Sequence, residues 1–549
     1  MKFHQYFTYF LAVVFLSLSV KSKSQNYTVI LGRPTDKSIT ISVLFDQNVN
    51  FFIEYGTNTG NYNISTSTFT NKANVPDEIE LPDLKINTKY YYRIRYKINA
   101  VSSFNASPEY YFQTQREKGS IYTFTIEADE HLYDKKGIRS MYQITLNNQA
   151  LDKPDFMFSL GDIFGDDHYP TTITSNDLDL LHKDYRQYLG SICHSIPFYI
   201  SLGNHEGEND YYLNQNPPNN LAVWGTYWRK YYYPNPSPNA FYSGNLDNEP
   251  YGIGNPENYY AWTWGDALFV VLDVYRYENI NSDKPQNWDW SLGYKQYSWL
   301  RTTLETSTAK YKFVFAHHIR GQGRGALTNA KLFEWGGYEA DGKTYGFDKN
   351  RPGWGKPIHQ LFKDNGVNIF FQGHDHLFAH EIFEGVHYQE VPMPSDSTYM
   401  IGKLANADAY TSDTLDGTGH IRVSVSTSCV KVDYVKAYLP KDTLDGKHKN
   451  REIGFSYTVG TCMVTGIEDM PLNVNNDIVQ VFPNPSRTVI NLSFKIPIQK
   501  FEAQLYNEIG SLVLSTNNKQ INISNLTEGV YVLVVKANEK MISKKIMIR

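Results

Sequence analysis

From Ile121 to Val391 the chain alternates short apolar runs with helical stretches, and run after run breaks off into Asp, His, Asn and Gly. That rhythm is the pattern of a layered α/β domain. Strands are expected at 122–128, 155–160, 198–202, 268–274, 311–316 and 367–371, with helices between them at 177–191, 294–306 and 356–365. In open α/β sheets a site lies outside the carboxyl ends of the strands. Five of these strands end in a polar cluster able to bind metal, so the clusters mark the place to look.

The clusters are Asp129-Glu130-His131, Gly161-Asp162, Gly203-Asn204-His205-Glu206, His317-His318 and Gly373-His374-Asp375-His376. Each alone is a weak signal; all five at strand ends form a motif with its structural context. Two divalent cations held about 3.5–4 Å apart need a shared anionic ligand with nitrogen and oxygen donors on either side. Asp162 is the natural bridge, and Asn204 offers a neutral carbonyl oxygen that leaves the cations electrophilic. The glycines let the backbone turn sharply or approach closely without a Cβ clash. Glu206 and Asp375 are expected beside the ligands rather than among them. A purely structural zinc site fits poorly, since such sites are usually closed Cys/His tetrahedra.

These motifs resemble those of the calcineurin-like metallophosphoesterase superfamily over roughly residues 121 to 391. The resemblance implies an α/β fold: a four-layer β-sandwich flanked by helices. Carried over by position, Asp129, His131, Asp162 and His376 would hold one metal, and Asp162, Asn204, His317 and His374 the other. It implies two divalent ions, of Zn, Mn or Fe, whose bridging hydroxide attacks phosphorus in line. His205 would then stabilise the phosphoryl charge or protonate the leaving oxygen. His318, Arg320, Arg324 and Arg351 are candidate contacts to substrate phosphate, because a guanidinium matches phosphate geometry. The run "YYAWTWGDALFVVLDV" followed by "QYSWLRTTLE" also resembles purple acid phosphatases, as does a fibronectin-like domain placed ahead. That group usually has glycine where this chain has His131, and a tyrosine ligand where it has Gly165, so a non-purple relative is expected.

The two ends read differently. Residues 1–24 resemble a signal peptide: Lys2, an apolar run from Phe7 to Val20 too short to span a membrane comfortably, then small residues at Ser22 and Ser24. Residues 25–117 alternate apolar and polar in short runs and resemble a fibronectin type III-like β-sandwich. The catalytic unit is expected at 118–465. A second small β-sandwich at 475–549 resembles the type IX secretion sorting domain of Bacteroidetes, through Pro483-Asn484-Pro485, Gly510, Leu526, Gly529-Val530-Tyr531 and the basic end at Arg549. Cys429 and Cys462 could pair in an oxidising compartment, but the wide spacing of the three cysteines reads more simply as buried small hydrophobes. Lys+Arg 52 against Asp+Glu 57 gives no electrostatic footprint for nucleic acid or anionic membrane.

The expected partners are therefore a phosphate-ester substrate and the type IX machinery, with a location outside the cell or on its outer surface. The insertion at 207–259, rich in Tyr, Trp, Asn and Pro, is expected to fold and to shape the pocket. A phosphomonoesterase is the leading expectation, a phosphodiesterase or nucleotidase the alternative on the same site. An exported binding protein with a vestigial site is the alternative of another class, and it predicts broken ligands; none is broken.

Overall fold

The computed structural model describes residues 27–98, 103–133, 136–164, 172–277, 287–319, 324–462, 479–495, 497–498, 500–507, 512–537 and 540–549. The expected signal peptide, Gly165, Arg320 and the Gly510 turn lie outside them.

Residues 27–113 build two antiparallel sheets. One orders the strands Tyr27–Gly32, Ile39–Phe45 and Pro76–Leu81; the other is centred on Val49–Gly56 and Lys89–Ile98. Alternation decides which side chains meet. In Val49–Gly56, Phe51 and Ile53 are buried while Asn50, Phe52 and Glu54 are half-buried, as a pleat with one covered face requires. Phe51 and Ile53 pack with Val29, Leu31, Ile41, Val43, Tyr92 and Phe112. This sandwich docks on the next layer through polar anchors. The Tyr92 hydroxyl donates to the His194 carbonyl at 2.6 Å, and Arg186 donates to Thr28 Oγ1 at 2.8 Å and the Ser42 carbonyl at 2.7 Å.

The central part is two stacked sheets between helices. The first sheet orders Phe198–Ile200, Met157–Ser159, Tyr122–Glu127, Gly419–Val425, Cys429–Lys436 and Ile453–Gly460. The second orders Ser243–Gly244, Tyr260–Trp264, Ala267–Val271, Tyr311–Phe315, Ile369–Gln372, Val386–Glu390, Phe378–Phe383 and Thr414–Leu415. Successive residues of one strand serve two cores. Phe269, Phe313, Phe315 and Phe371 enter the sheet-on-sheet core with Phe124, Phe158 and Trp262, whereas Val270, Val314 and Phe370 face the helices Tyr294–Thr306 and Ile358–Asp364. Burial on both faces is why these strands read as continuous apolar runs. On the far side, Arg139–Leu151 and Ser175–Cys193 cover Met157, Phe198 and Ile200. The result is the expected helix–sheet–sheet–helix stack. Five of the six observed strands end a residue or more before the expected ends, because residues such as Ala128, Leu160 and Leu202 already belong to the turns that carry the motifs; the sixth, Ile369–Gln372, runs one residue past its expected end.

Topology fixes the site. Tyr122–Glu127, Met157–Ser159 and Phe198–Ile200 run parallel in one sheet; Ala267–Val271, Tyr311–Phe315 and Ile369–Gln372 run parallel in the other. Within each sheet the carboxyl ends therefore share one edge. The insertion at 207–259 is folded, with helices Asp210–Leu213 and Leu221–Tyr232.

Cys429 and Cys462 are disulfide-bonded, which corrects the reading of both as plain buried hydrophobes; Cys193 is free and buried. Spacing alone hid the bond, because sequence separation does not reveal which strand ends lie side by side. Residues from Cys462 to Arg549 form a second compact unit. Its two sheets enclose Ile490, Leu492, Leu505, Ile521, Leu533 and Val535. Among the described residues no helix is long and apolar enough to cross a membrane.

Candidate metal centre

The motif turns are held in costly backbone conformations. Asp129 (φ 63°), His131 (44°), Asp162 (62°), His374 (80°) and His376 (64°) all occupy the left-handed region. Such conformations cost about 1–3 kcal/mol each in non-glycine residues and gather where the surroundings enforce them. The neighbouring glycines make room. A Cβ on Gly203 would sit 2.2 Å from Asp162 Oδ1, and one on Gly373 2.5 Å from Asp129 Oδ2. Glu206 clamps two turns together: its buried carboxylate accepts the backbone N–H of Gly203 (2.6 Å), Asp162 (3.0 Å), Ile163 (2.7 Å) and Phe164 (3.1 Å). Hydrogen bonds to an ionised acceptor are about twice as strong as neutral ones, so this side chain sets the spacing between the Asp162 and Asn204 turns.

The side chains converge. His131 and His376 face each other with Nε2 atoms 3.0 Å apart. Asp129 Oδ1 lies 3.5 Å from His376 Nε2 and 3.8 Å from both His131 Nε2 and His317 Nε2. Asp162 Oδ2 lies 3.2 Å from His317 Nε2 and 3.8 Å from His131 Nε2 and His205 Nε2. His374 Nδ1 is 3.2 Å from His317 Nε2. Four overlapping groups could hold an ion: Asp129, His131 and His376; Asp129, Asp162 and His317; His131, Asp162 and His205; and His317, His318 and His374. The last two bring His205 and His318 within ligand reach, beyond the set carried over by resemblance.

Orientation favours cations. His317 Nδ1 lies 2.9 Å from the Leu160 carbonyl and His376 Nδ1 2.6 Å from the Leu404 carbonyl. A carbonyl only accepts, so each Nδ1 carries a proton and each Nε2 is the nitrogen turned to the cluster. Asp129 Oδ1 is buried with no hydrogen-bond partner among the described residues, although the other oxygen accepts the His374 N–H at 2.8 Å. A buried anionic oxygen left in that state is costly unless a cation meets it.

The electrostatics agree. Burial pushes the Asp129 carboxyl up to about 7. Burial works against the charge of Asp162 too, but His317, His205 and His131 hold its carboxyl well below the usual range. Burial would lower His317, yet Asp162 and Asp129 outweigh it and raise the imidazole to about 9. The carboxylates thus draw positive charge into the centre. Burial, with His317 or His131 close by, holds His374 and His376 well below their ordinary values, so both are neutral donors.

The remaining candidates separate. Arg324 stands beside the cluster, its guanidinium donating to the His374 carbonyl (3.0 Å) and Asp375 (2.9 Å) while 42% exposed. Arg351 is turned elsewhere: it pairs with Glu334, donates to the Trp288 carbonyl and lies over the Trp288 and Trp354 rings. Its described contacts are those of a structural arginine. Asp375 is buried and accepts from Gly325 N–H and the Tyr410 hydroxyl. Sequence reasoning missed Tyr275, whose oxygen lies 2.9 Å from His318 Nδ1 and 3.4 Å from Asn204 Oδ1. A tyrosine four residues past a strand gives no signal of its own.

Residues 123–378 match the calcineurin-like phosphoesterase family, and residues 480–549 match the secretion system C-terminal sorting domain. The chain is a metal-dependent phosphoester hydrolase with a calcineurin-like phosphoesterase domain. Its C-terminal sorting domain indicates export through type IX secretion. Among solved structures, a purple acid phosphatase isolated from yellow lupin (Lupinus luteus) seeds is 16% identical with a TM-score of 0.53, over 79% of this chain and 74% of that one. A PhoD structure is 18% identical with a TM-score of 0.55, over 79% of this chain and 90% of that one. At these identities the likeness is one of fold. No curated protein matches the chain in sequence.

Proposed function

We propose that Asp129, His131, Asp162 and His376 hold one divalent cation, that Asp162, Asn204, His317 and His374 hold a second, and that the protein is an exported phosphomonoesterase. The observation that carries this reading is the buried Asp129 Oδ1, without a hydrogen-bond partner among the described residues and with three imidazole nitrogens within 3.8 Å. When bound, paired cations of Zn, Mn or Fe supply a water nucleophile at neutral pH and stabilise the attacking and leaving oxygens. His205 is the proton donor. Its backbone N–H donates to Asp162 Oδ1 at 2.8 Å, so its ring is carried on the same turn as Asn204 and buried at the cluster. Arg324 meets the second negative charge of a terminal phosphate, which a monoester has and a diester lacks; its exposed guanidinium supports that preference.

The test is metal analysis of the purified protein beside turnover of aryl monoesters, aryl diesters and nucleotides. Two metals per chain and fastest turnover of aryl monoesters are expected, with Arg324→Ala lowering monoester kcat/KM more than diester. Faster turnover of diesters or nucleotides would make it a phosphodiesterase or nucleotidase. Metal binding without turnover of any of them would leave an exported binding protein.

A further inference from the structure

Tyr275 and His318 form a buried pair beside one half of the cluster. Tyr275 follows the Ala267–Val271 strand and is fixed by Asp273, whose Oδ1 accepts the backbone N–H of Tyr275 (2.9 Å) and Arg276 (3.1 Å). The other oxygen of Asp273 accepts from Asn258 at 2.7 Å, which ties this turn to the insertion. The Tyr275 oxygen then meets two groups at once, His318 Nδ1 at 2.9 Å and Asn204 Oδ1 at 3.4 Å. A phenol has one proton. Both contacts are satisfied together only when His318 Nδ1–H donates to the phenol oxygen and the phenol proton points at the Asn204 carbonyl. His318 in turn stacks on His374, with ring centroids 4.3 Å apart and planes at 22°. The Tyr275 ring lies 6.0 Å from that of His317.

We infer that Tyr275 and His318 are a positioning pair that sets the affinity of one metal position, the one lined by Asn204, His317 and His374, and not of the one lined by Asp129, His131 and His376. The inference rests on the two-metal reading above. The hydrogen bond fixes the direction of the Asn204 carbonyl, and the stack fixes the His374 ring. Partners of this kind typically change metal affinity by about 10–100-fold when removed. The near-parallel stack also explains why His318 is better placed to hold His374 than to bind the same ion, since an imidazole donates in its own plane.

The experiment is reconstitution of the full chain with Mn²⁺, followed by electron paramagnetic resonance and metal titration. Wild-type protein should give the spectrum of an exchange-coupled pair. Tyr275→Phe and His318→Ala should bind the second equivalent about 10–100-fold more weakly and show an uncoupled single-ion spectrum at intermediate Mn²⁺, while the apo-protein still unfolds cooperatively. His318→Phe, which keeps a stacking face, should recover part of the loss. Equal weakening of both equivalents, or unchanged binding in the folded variants, would overturn the inference. If Tyr275→Phe does not fold, the His318 variants decide alone. Failure of wild-type protein to bind a pair at all would instead remove the two-metal reading, and this inference with it.

Discussion

The backbone N–H of His205 donates to Asp162 Oδ1 and its ring stands 3.8 Å from Asp162 Oδ2, so replacing the ring leaves the bond that positions the carboxylate. His205→Ala should therefore cut kcat by about 10²–10⁴-fold, the range for losing an acid–base group, while the chain keeps its full metal content. Loss of metal in that variant would make His205 a ligand, a role its place in a group with His131 and Asp162 also permits. Colour is decided by single residues as well. A purple site needs a phenolate oxygen on ferric iron, and the position expected to supply it holds Gly165. The nearby Tyr275 spends its oxygen on His318 and Asn204. Two divalent ions are weaker Lewis acids than a pair containing ferric iron, so iron-loaded protein should be colourless with a neutral to alkaline optimum. A visible charge-transfer band with an acid optimum would contradict this, and its loss in Tyr275→Phe would identify the tyrosine.

At the scale of elements, the insertion is pinned by buried charge. Glu208 accepts from Arg229 Nε at 2.6 Å and Nη2 at 2.8 Å, and Arg229 also reaches the Pro256 carbonyl. Breaking such a pair leaves an uncompensated buried charge, so Arg229→Ala should cost about 3–5 kcal/mol in denaturant unfolding and raise KM as the rim loosens. An unchanged midpoint would show that the insertion is held by its apolar contacts instead. Burial disfavours the Glu208 charge, but Arg229, Arg276 and Thr226 together hold its carboxyl below the ordinary value. Its contribution is thus complete above about pH 4.3, the unfolded value, and is lost as pH falls through the folded one. The strands and the motif order were legible because double-sided burial writes apolar runs and turns write glycine. The clamp by Glu206, the Leu404 carbonyl behind His376 and the diversion of Arg351 to Glu334 were not, since each joins residues far apart in the chain. Nor were the five left-handed backbones: Asp and His adopt that conformation only where neighbours force it. The strands at 419–460 that complete the first sheet carry no motif, and only their pairing with Tyr122–Glu127 reveals their place.

For the whole molecule, the chemistry and the export signal belong to separate compact units, and the unit from Cys462 onward contributes no residue to the described cluster. A chain ending before residue 479 should keep full turnover in lysates and accumulate in the periplasm; its appearance in the medium would contradict the sorting role. On the function proposed above, the Asp/His cluster holds two cations that hydrolysis requires. The most direct test is to strip the full chain with a chelator and titrate Zn²⁺ or Mn²⁺ back while following turnover of an aryl phosphate monoester. The stripped protein should show no turnover, and recovery should saturate at two equivalents per chain. Full turnover without metal, or saturation at a single equivalent, would contradict it.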